Sequence, residues 1–156
     1  MDSLGVAFAS SETTEVLNKL QMPYTIPTPT SILAQAALSP NGQRAQKRLV
    51  QDVTSNRRSL VRVLTTPTMI ALGLGKTLGA GEANFIVVPV LDQESGTRRD
   101  QTRAELVTQR LRDEYDVSIR CIGAMLHCEG CVRVTVGTEE QNGEFVEGLR
   151  DVLIVN

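Results

Sequence analysis

Arg120 and Arg133 each interrupt a strand-like apolar run, Val117-Ser-Ile-Arg and Val132-Arg-Val, thirteen positions apart. A guanidinium in such a run must either emerge from the sheet or meet an anion, because burying it unpaired is costly. On neighbouring strands the two would converge on one anionic or carbonyl group. The alternative is a pair of structural ion pairs to acids such as Glu82 or Glu129, and pattern alone does not choose between them. Tyr24 and Asn84 are further polar side chains able to orient a ligand. The cation inventory points the same way. Of 16 basic residues only Lys19, Lys47 and Lys76 are lysines. Arginine neither forms a Schiff base nor acts as a base near neutrality, but its planar fork pairs well with carboxylate or phosphate. Anion recognition is better supplied than amine chemistry.

Other motifs carry less. Gly73-Leu-Gly-Lys76-Thr77 resembles the end of a phosphate loop, but Ile70 stands where that pattern needs its first glycine. Cys128-Glu-Gly-Cys131, with His127 and Cys121 nearby, offers soft metal ligands, yet it lacks a second C-x-x-C, and adjacent His127 and Cys128 close a tetrahedron awkwardly. A reduced, packed cysteine pair is the plainer expectation, with no metal site. One histidine and no G-x-S-x-G elbow leave a nucleophilic triad unsupported. Glu139-Glu140 opens a helix, where acid favours the macrodipole without any catalytic role.

These groups need a frame. The 156 residues, net charge −2 and 41% hydrophobic content fit one soluble domain and leave no room for a second full one. Near-neutral charge argues against a nucleic-acid binder held by phosphate contacts, and three cysteines argue against a disulfide scaffold. No apolar run reaches membrane-spanning length and the first residues lack a signal-peptide pattern, so a cytoplasmic protein is expected. Residues 4–9 read as a short strand. Ser11 is placed to cap a helix carrying Val16, Leu17 and Leu20, which must end before Pro23. A proline-rich extended connector then leads to a helix over 32–38. Residues 43–64 read as a long amphipathic helix whose basic face, with Arg44, Arg48, Arg57, Arg58 and Arg62, is a solvated surface because no aromatics interleave to stack bases. A strand is expected within 83–91, a helix around 106–111, short strands over 117–122 and 132–136, and a last helix capped by Thr138 and reaching Leu149. The stretches 71–83 and 92–102 read as flexible connections. The fold expected is α+β: a two-layer sandwich with a small mixed or antiparallel sheet covered by helices, comprising an N-terminal arm over 1–38 and an α+β domain over 39–156.

The segment Cys128-Glu-Gly-Cys-Val-Arg-Val-Thr-Val-Gly-Thr-Glu-Glu-Gln-Asn resembles the closing motif of the histidinol-phosphate aminotransferases, fold-type I enzymes dependent on pyridoxal phosphate. Met22-Pro-Tyr-Thr-Ile-Pro-Thr-Pro, Leu38-Ser-Pro-Asn-Gly, Glu82-Ala-Asn-Phe-Ile and Val117-Ser-Ile-Arg support the resemblance in the right order. It implies the end of a large domain followed by the small C-terminal domain. It also implies that Arg133 holds a substrate carboxylate and Arg120 a distal anionic group. The chain begins after the region where the family carries its Schiff-base lysine and its pyridine-nitrogen aspartate, and none of the three lysines lies in the family's Ser-x-x-Lys context. The expectation is therefore no bound cofactor and no transamination by this chain alone. In its truncation the chain also resembles the stand-alone norbornene-forming cyclases of fungal sordarin-type terpenoid biosynthesis. That implies a cofactor-free pericyclic cyclisation of an apolar small molecule bearing a carboxylate or carbonyl. The alternatives are a catalytically inactive relative, or a subunit, that binds a full-length aminotransferase. Surfaces that would pack on a large domain must be covered, by self-association, by the N-terminal arm refolding over the sheet or by a bound apolar ligand, and of the oligomers a homodimer is favoured.

Overall fold

The computed structural model describes residues 4–22, 26–79 and 81–155. The chain divides into two compact units, Met1–Leu49 and Val50–Asn156, with the division falling inside a long helix.

In the first unit, α1 (Ser11–Leu20) is capped by Ser10, whose hydroxyl accepts the Thr13 N–H at 3.3 Å. The cap is thus one residue earlier than the Ser11 the sequence suggests, because Ser10 is the residue with extended backbone ahead of the helix. Residues 4–9 form no strand, contrary to expectation. A strand needs a ladder partner for its backbone, and these residues have none among those described; Phe8 is 97% exposed. α2 (Thr28–Leu38) starts earlier than predicted because Pro29, with its preset φ, opens the first turn. α3 (Pro40–Leu64) begins immediately after it for the same reason. Ser39 serves both ends, its hydroxyl donating to the Ala36 carbonyl at 2.7 Å and accepting the Gly42 N–H at 3.2 Å.

The second unit begins within α3. It continues through α4 (Pro67–Ala71), β1 (Phe85–Pro89), α5 (Gln101–Tyr115), β2 (Arg120–Cys121), β3 (Cys131–Thr135) and α6 (Glu139–Ile154). The architecture is mixed α and β, mostly helical, around one antiparallel three-stranded sheet in the order β1-β3-β2. Alternation sorts the strands into two faces. Ile86 and Val88 of β1 lie opposite Val134 and Val132 of β3, and all four are buried with Val107 and Leu111 of α5 and Leu149 and Val152 of α6. α5 packs on β2 and β3, and α6 packs on α5.

The caps explain where these elements stop. Asp100 accepts the Arg103 N–H at 3.0 Å and starts α5. Asp116 ends it in the left-handed conformation, φ 58°. The Val117 N–H then donates back to the Leu111 carbonyl at 3.0 Å. That bond takes Val117 out of the predicted 117–122 strand, and β2 is confined to Arg120–Cys121. Thr138 caps α6 as read from the sequence, within a reciprocal box with Gln141, and the helix runs past Leu149 to Ile154.

Within both stretches read as flexible, residues 74–78 and 92–98 are instead tied down. Leu74 and Leu78 bridge Val90 and Val87, so residues 74–78 run antiparallel beside β1 on the edge away from β3. Gly73 turns the chain there with φ 91°, and a Cβ on Gly75 would lie 2.9 Å from the Pro89 ring, so the two glycines of the loop-like motif serve a close backbone approach. In the 92–99 segment the Asp92 carboxylate accepts the Ser95 N–H at 2.6 Å, the Ser95 hydroxyl at 2.8 Å and the Arg98 N–H at 3.0 Å. Those bonds hold its pKa down at about 2. No helix among the described residues is long and apolar enough to cross a membrane.

Candidate functional site

Register places the two arginines directly opposite one another: Arg120 of β2 pairs with Arg133 of β3, which in turn faces Val87 of β1. Side chains in one row share a face, so Val87, Arg133 and Arg120 cross the sheet on the side away from its buried valines. Like charges so placed repel unless an anion or an aromatic face intervenes. Phe85 of β1, diagonal to Arg133 on the side away from Arg120, does not come between them but offers Arg133 an aromatic face: the guanidinium carbon lies 5.2 Å from the ring centroid. Among the described residues no carboxylate pairs with either arginine, neither Glu82 nor Glu129. Arg133 is half-buried and Arg120 exposed. The row therefore presents two guanidiniums with donor capacity to spare beside an apolar patch of Phe85 and Val87.

The remaining sequence candidates fall elsewhere. Asn84 is exposed just ahead of β1, and its carbonyl accepts the Val136 N–H at 2.9 Å. Opposite Val136 it is one strand position out of phase with Phe85 and Arg133. Tyr24 lies outside the described residues. Cys121 and Cys128 are half-buried and Cys131 buried, all as free thiols. Among the described residues no group of three or more His, Cys, Asp or Glu side chains is arranged to hold a metal ion. Glu139 and Glu140 occupy the first turn of α6, beside its capping box.

Two features escape a sequence reading. The first is Arg103, 7% exposed, whose Nη1 donates to the Leu91 carbonyl at 2.7 Å and Nη2 to that of Leu72 at 2.9 Å, while Nε has no partner. Its signal was present: Arg103, Val107 and Leu111 recur at helical spacing, a cation within an apolar stripe. The second is a groove of about 500 Å³ between the end of α3 and α6. It is lined by Ser59, Val63, Asn142, Val146 and Arg150 among others, and not by the arginine pair.

The sequence pattern described as aminotransferase class I and II matches residues 3–149. The histidinol-phosphate aminotransferase of Schizosaccharomyces pombe is 33% identical over 150 residues, covering 96% of this chain and 38% of that protein. Its counterpart in Candida maltosa is 29% identical, over 96% of this chain and 37% of its own length. Among solved structures, histidinol-phosphate aminotransferase from Sinorhizobium meliloti in complex with pyridoxal-5'-phosphate superposes with a TM-score of 0.70 at 19% identity, over 92% of this chain and 34% of that one. A decarboxylase from Sulfurospirillum multivorans gives 0.65 at 17% identity, over 92% and 37%. The chain thus spans less than two-fifths of the length of these relatives, and what it shares with the solved structures is the fold. With its pattern matched over nearly all its length, the chain belongs to the class I and II aminotransferase family.

Proposed function

We propose that this chain, acting by itself, is a cofactor-independent cyclase that binds an apolar small molecule bearing a carboxylate or carbonyl and guides an intramolecular pericyclic closure. A terpenoid closing to a norbornene in a Diels–Alder-type step is the substrate class we favour. The observation that carries the reading is the cross-strand pair Arg120–Arg133 beside Phe85, cationic donors without a carboxylate partner next to an apolar patch. Arg133 and Arg120 would donate to a carbonyl that becomes more electron-rich in the transition state, while the patch holds the hydrocarbon so that its reacting ends meet. Asn84, out of phase with this row, is assigned no role in it.

Pyridoxal phosphate, the coenzyme the family implies, needs a desolvated lysine amine to condense with its aldehyde. Lys19, Lys47 and Lys76 are all exposed, and Lys19 is ion-paired with Glu15 at 3.3 Å. The lysines of this chain do not fit the coenzyme.

A panel of polycyclic carboxylates and aldehydes tests the reading by thermal unfolding. A ligand at a hundred times its Kd stabilises by about 2.7 kcal/mol. The expected result is stabilisation that is lost in Arg133→Ala and only partly restored in Arg133→Lys, which lacks the planar fork. A second reading, a non-catalytic subunit that binds itself or a full-length aminotransferase, is favoured by apolar side chains left exposed at Phe8 (97%), Leu20 (74%) and Leu33 (64%). A homodimer would cover such surface. Absence of any ligand shift, together with tight binding to a full-length aminotransferase, selects the second reading over the first.

A further inference from the structure

The turn leading into β3 carries chemistry that the arginine row does not use. Cys128 and Cys131 are its first and last residues: the Cys131 N–H donates to the Cys128 carbonyl at 3.0 Å. Gly130, at the third position, has φ 65°, as a type II turn requires. Such a turn keeps its end Cα atoms within about 7 Å, and a disulfide spans about 4.4–6.8 Å. The Cys131 thiol is directed back over the turn, its Sγ 3.6 Å from the Glu129 carbonyl oxygen. Both sulfurs are free; Cys128 is half-buried and reachable, Cys131 fully buried.

The surroundings are cationic. A cleft of about 610 Å³ is lined by Arg98, Arg99, His127 and Glu129, two guanidiniums against one carboxylate. Arg99 is fastened to the turn through its bond to the His127 carbonyl at 2.8 Å. Burial pushes the Cys131 thiol up, and the charge of Arg99 opposes that rise. The turn is itself anchored: the Gly130 N–H donates to the Gln101 amide oxygen at 2.8 Å. The reachable Cys128 sulfur is therefore suited to attack a disulfide arriving from solvent, and the buried Cys131 to close the bond.

We propose that Cys128 and Cys131 form a thiol–disulfide site whose substrate is a small anionic disulfide of the glutathione class, drawn in by Arg98 and Arg99. The Cys128 thiolate attacks one sulfur of oxidised glutathione, making a mixed disulfide and expelling one glutathione thiolate. The Cys131 thiolate, its proton released to water, attacks the Cys128 sulfur and expels the second. Two protein thiols lose two protons and two electrons, and the oxidised glutathione takes up both electrons. The new bond fastens the first residue of β3, two positions ahead of Arg133.

The reduced chain is incubated with oxidised glutathione, or with uncharged bis(2-hydroxyethyl) disulfide, then alkylated and mapped by mass spectrometry without reduction. The expected product joins Cys128 to Cys131. Cys131→Ala should stop at a mixed disulfide on Cys128. Because Cys131 is part of the core, Cys128→Ser is the second variant, and it should yield no adduct at Cys131. Arg98→Ala should slow the reaction with oxidised glutathione roughly tenfold, the low end of electrostatic steering, and leave the uncharged disulfide unaffected. Modification at Cys121 in place of Cys128, separate adducts on Cys128 and Cys131, or equal slowing of both disulfides by Arg98→Ala would overturn the proposal.

Discussion

Arg103→Met removes a buried charge without opening a hole, and its effect can be worked from two bonds. The guanidinium is the partner that satisfies the Leu91 carbonyl, just past β1, and the Leu72 carbonyl, at the end of α4. Methionine fills the space and keeps water out, so both acceptors are left unpaired at about 1–3 kcal/mol each, while the already partnerless Nε–H no longer has to be buried. A net loss of about 2 kcal/mol follows from those magnitudes. Followed by far-UV circular dichroism in urea, with a slope of about 2 kcal/mol per M, the midpoint should fall by about 1 M with the slope unchanged. Gly73 makes the argument sharper. Its φ is 91°, and a Cβ there would collide with the Arg103 guanidinium. Gly73→Ala should therefore cost both backbone strain and the two Arg103 bonds in the native protein, but only the strain, about 1–3 kcal/mol, once Arg103 is methionine. The two substitutions should be coupled by about 2 kcal/mol in a double-mutant cycle. A midpoint fall below about 0.5 M, or equal costs for Gly73→Ala in the two backgrounds, would refute the clamp.

Thr138→Ala removes one arm of the α6 capping box, in which Thr138 accepts the Gln141 N–H at 3.2 Å, and should destabilise by about 1 kcal/mol. In thermal unfolding that is a drop of about 4 °C, and an unchanged midpoint would show that α6 does not depend on its cap. Asp92 has a carboxyl held below its ordinary 3.8, at about 2. Its contribution is present above pH 4 and is lost as pH falls through the folded value, because the unfolded chain binds the proton first. Asp92→Asn should flatten the thermal midpoint's dependence on pH between about 4 and 2; an unchanged acid limb would show that the 92–98 turn does not depend on this carboxylate. Gly148→Ala would bring a Cβ to 2.9 Å from the Tyr115 ring, between α6 and α5. Overpacking of about 1–3 kcal/mol is offset by about 1 kcal/mol of helix propensity, so a net loss of about 1 kcal/mol by calorimetry is expected, and a gain would show that Tyr115 yields freely.

What the sequence disclosed and what it concealed divide along one physical line: whether the groups that decide an element's bounds are local. Thr138 with Gln141, Pro29 and Pro40 at helix starts, and the β-branched residues of β1 and β3 act within one or two turns of chain. At Thr138 the local pattern marks the helix start correctly, whereas at Pro29 and Pro40 it reads as loop and the expected starts fall a few residues late. β2 is different. Val117, expected within it, instead closes α5 through its N–H bond to the Leu111 carbonyl. Residues 74–78 are ordered by Val87 and Val90, and the 92–98 turn by one carboxylate meeting three donors, neither of which periodicity reports. The candidate site lies on the same line. That Arg120 and Arg133 interrupt strands is visible in their neighbours, but that they stand opposite each other depends on register, and register here is pinned by Val132 and Val134 being driven to the buried face, since a slip of one residue would send the guanidiniums into the core. The same constraint puts Phe85 diagonal to Arg133, so the aromatic face that shields one cation follows from the burial of two valines on the other side of the sheet. Swapping Arg133 with Val134 would therefore do more than relocate a charge: it would place a guanidinium against Val107 and Leu111, where nothing compensates it, and the chain would fail to fold before any ligand role could be measured.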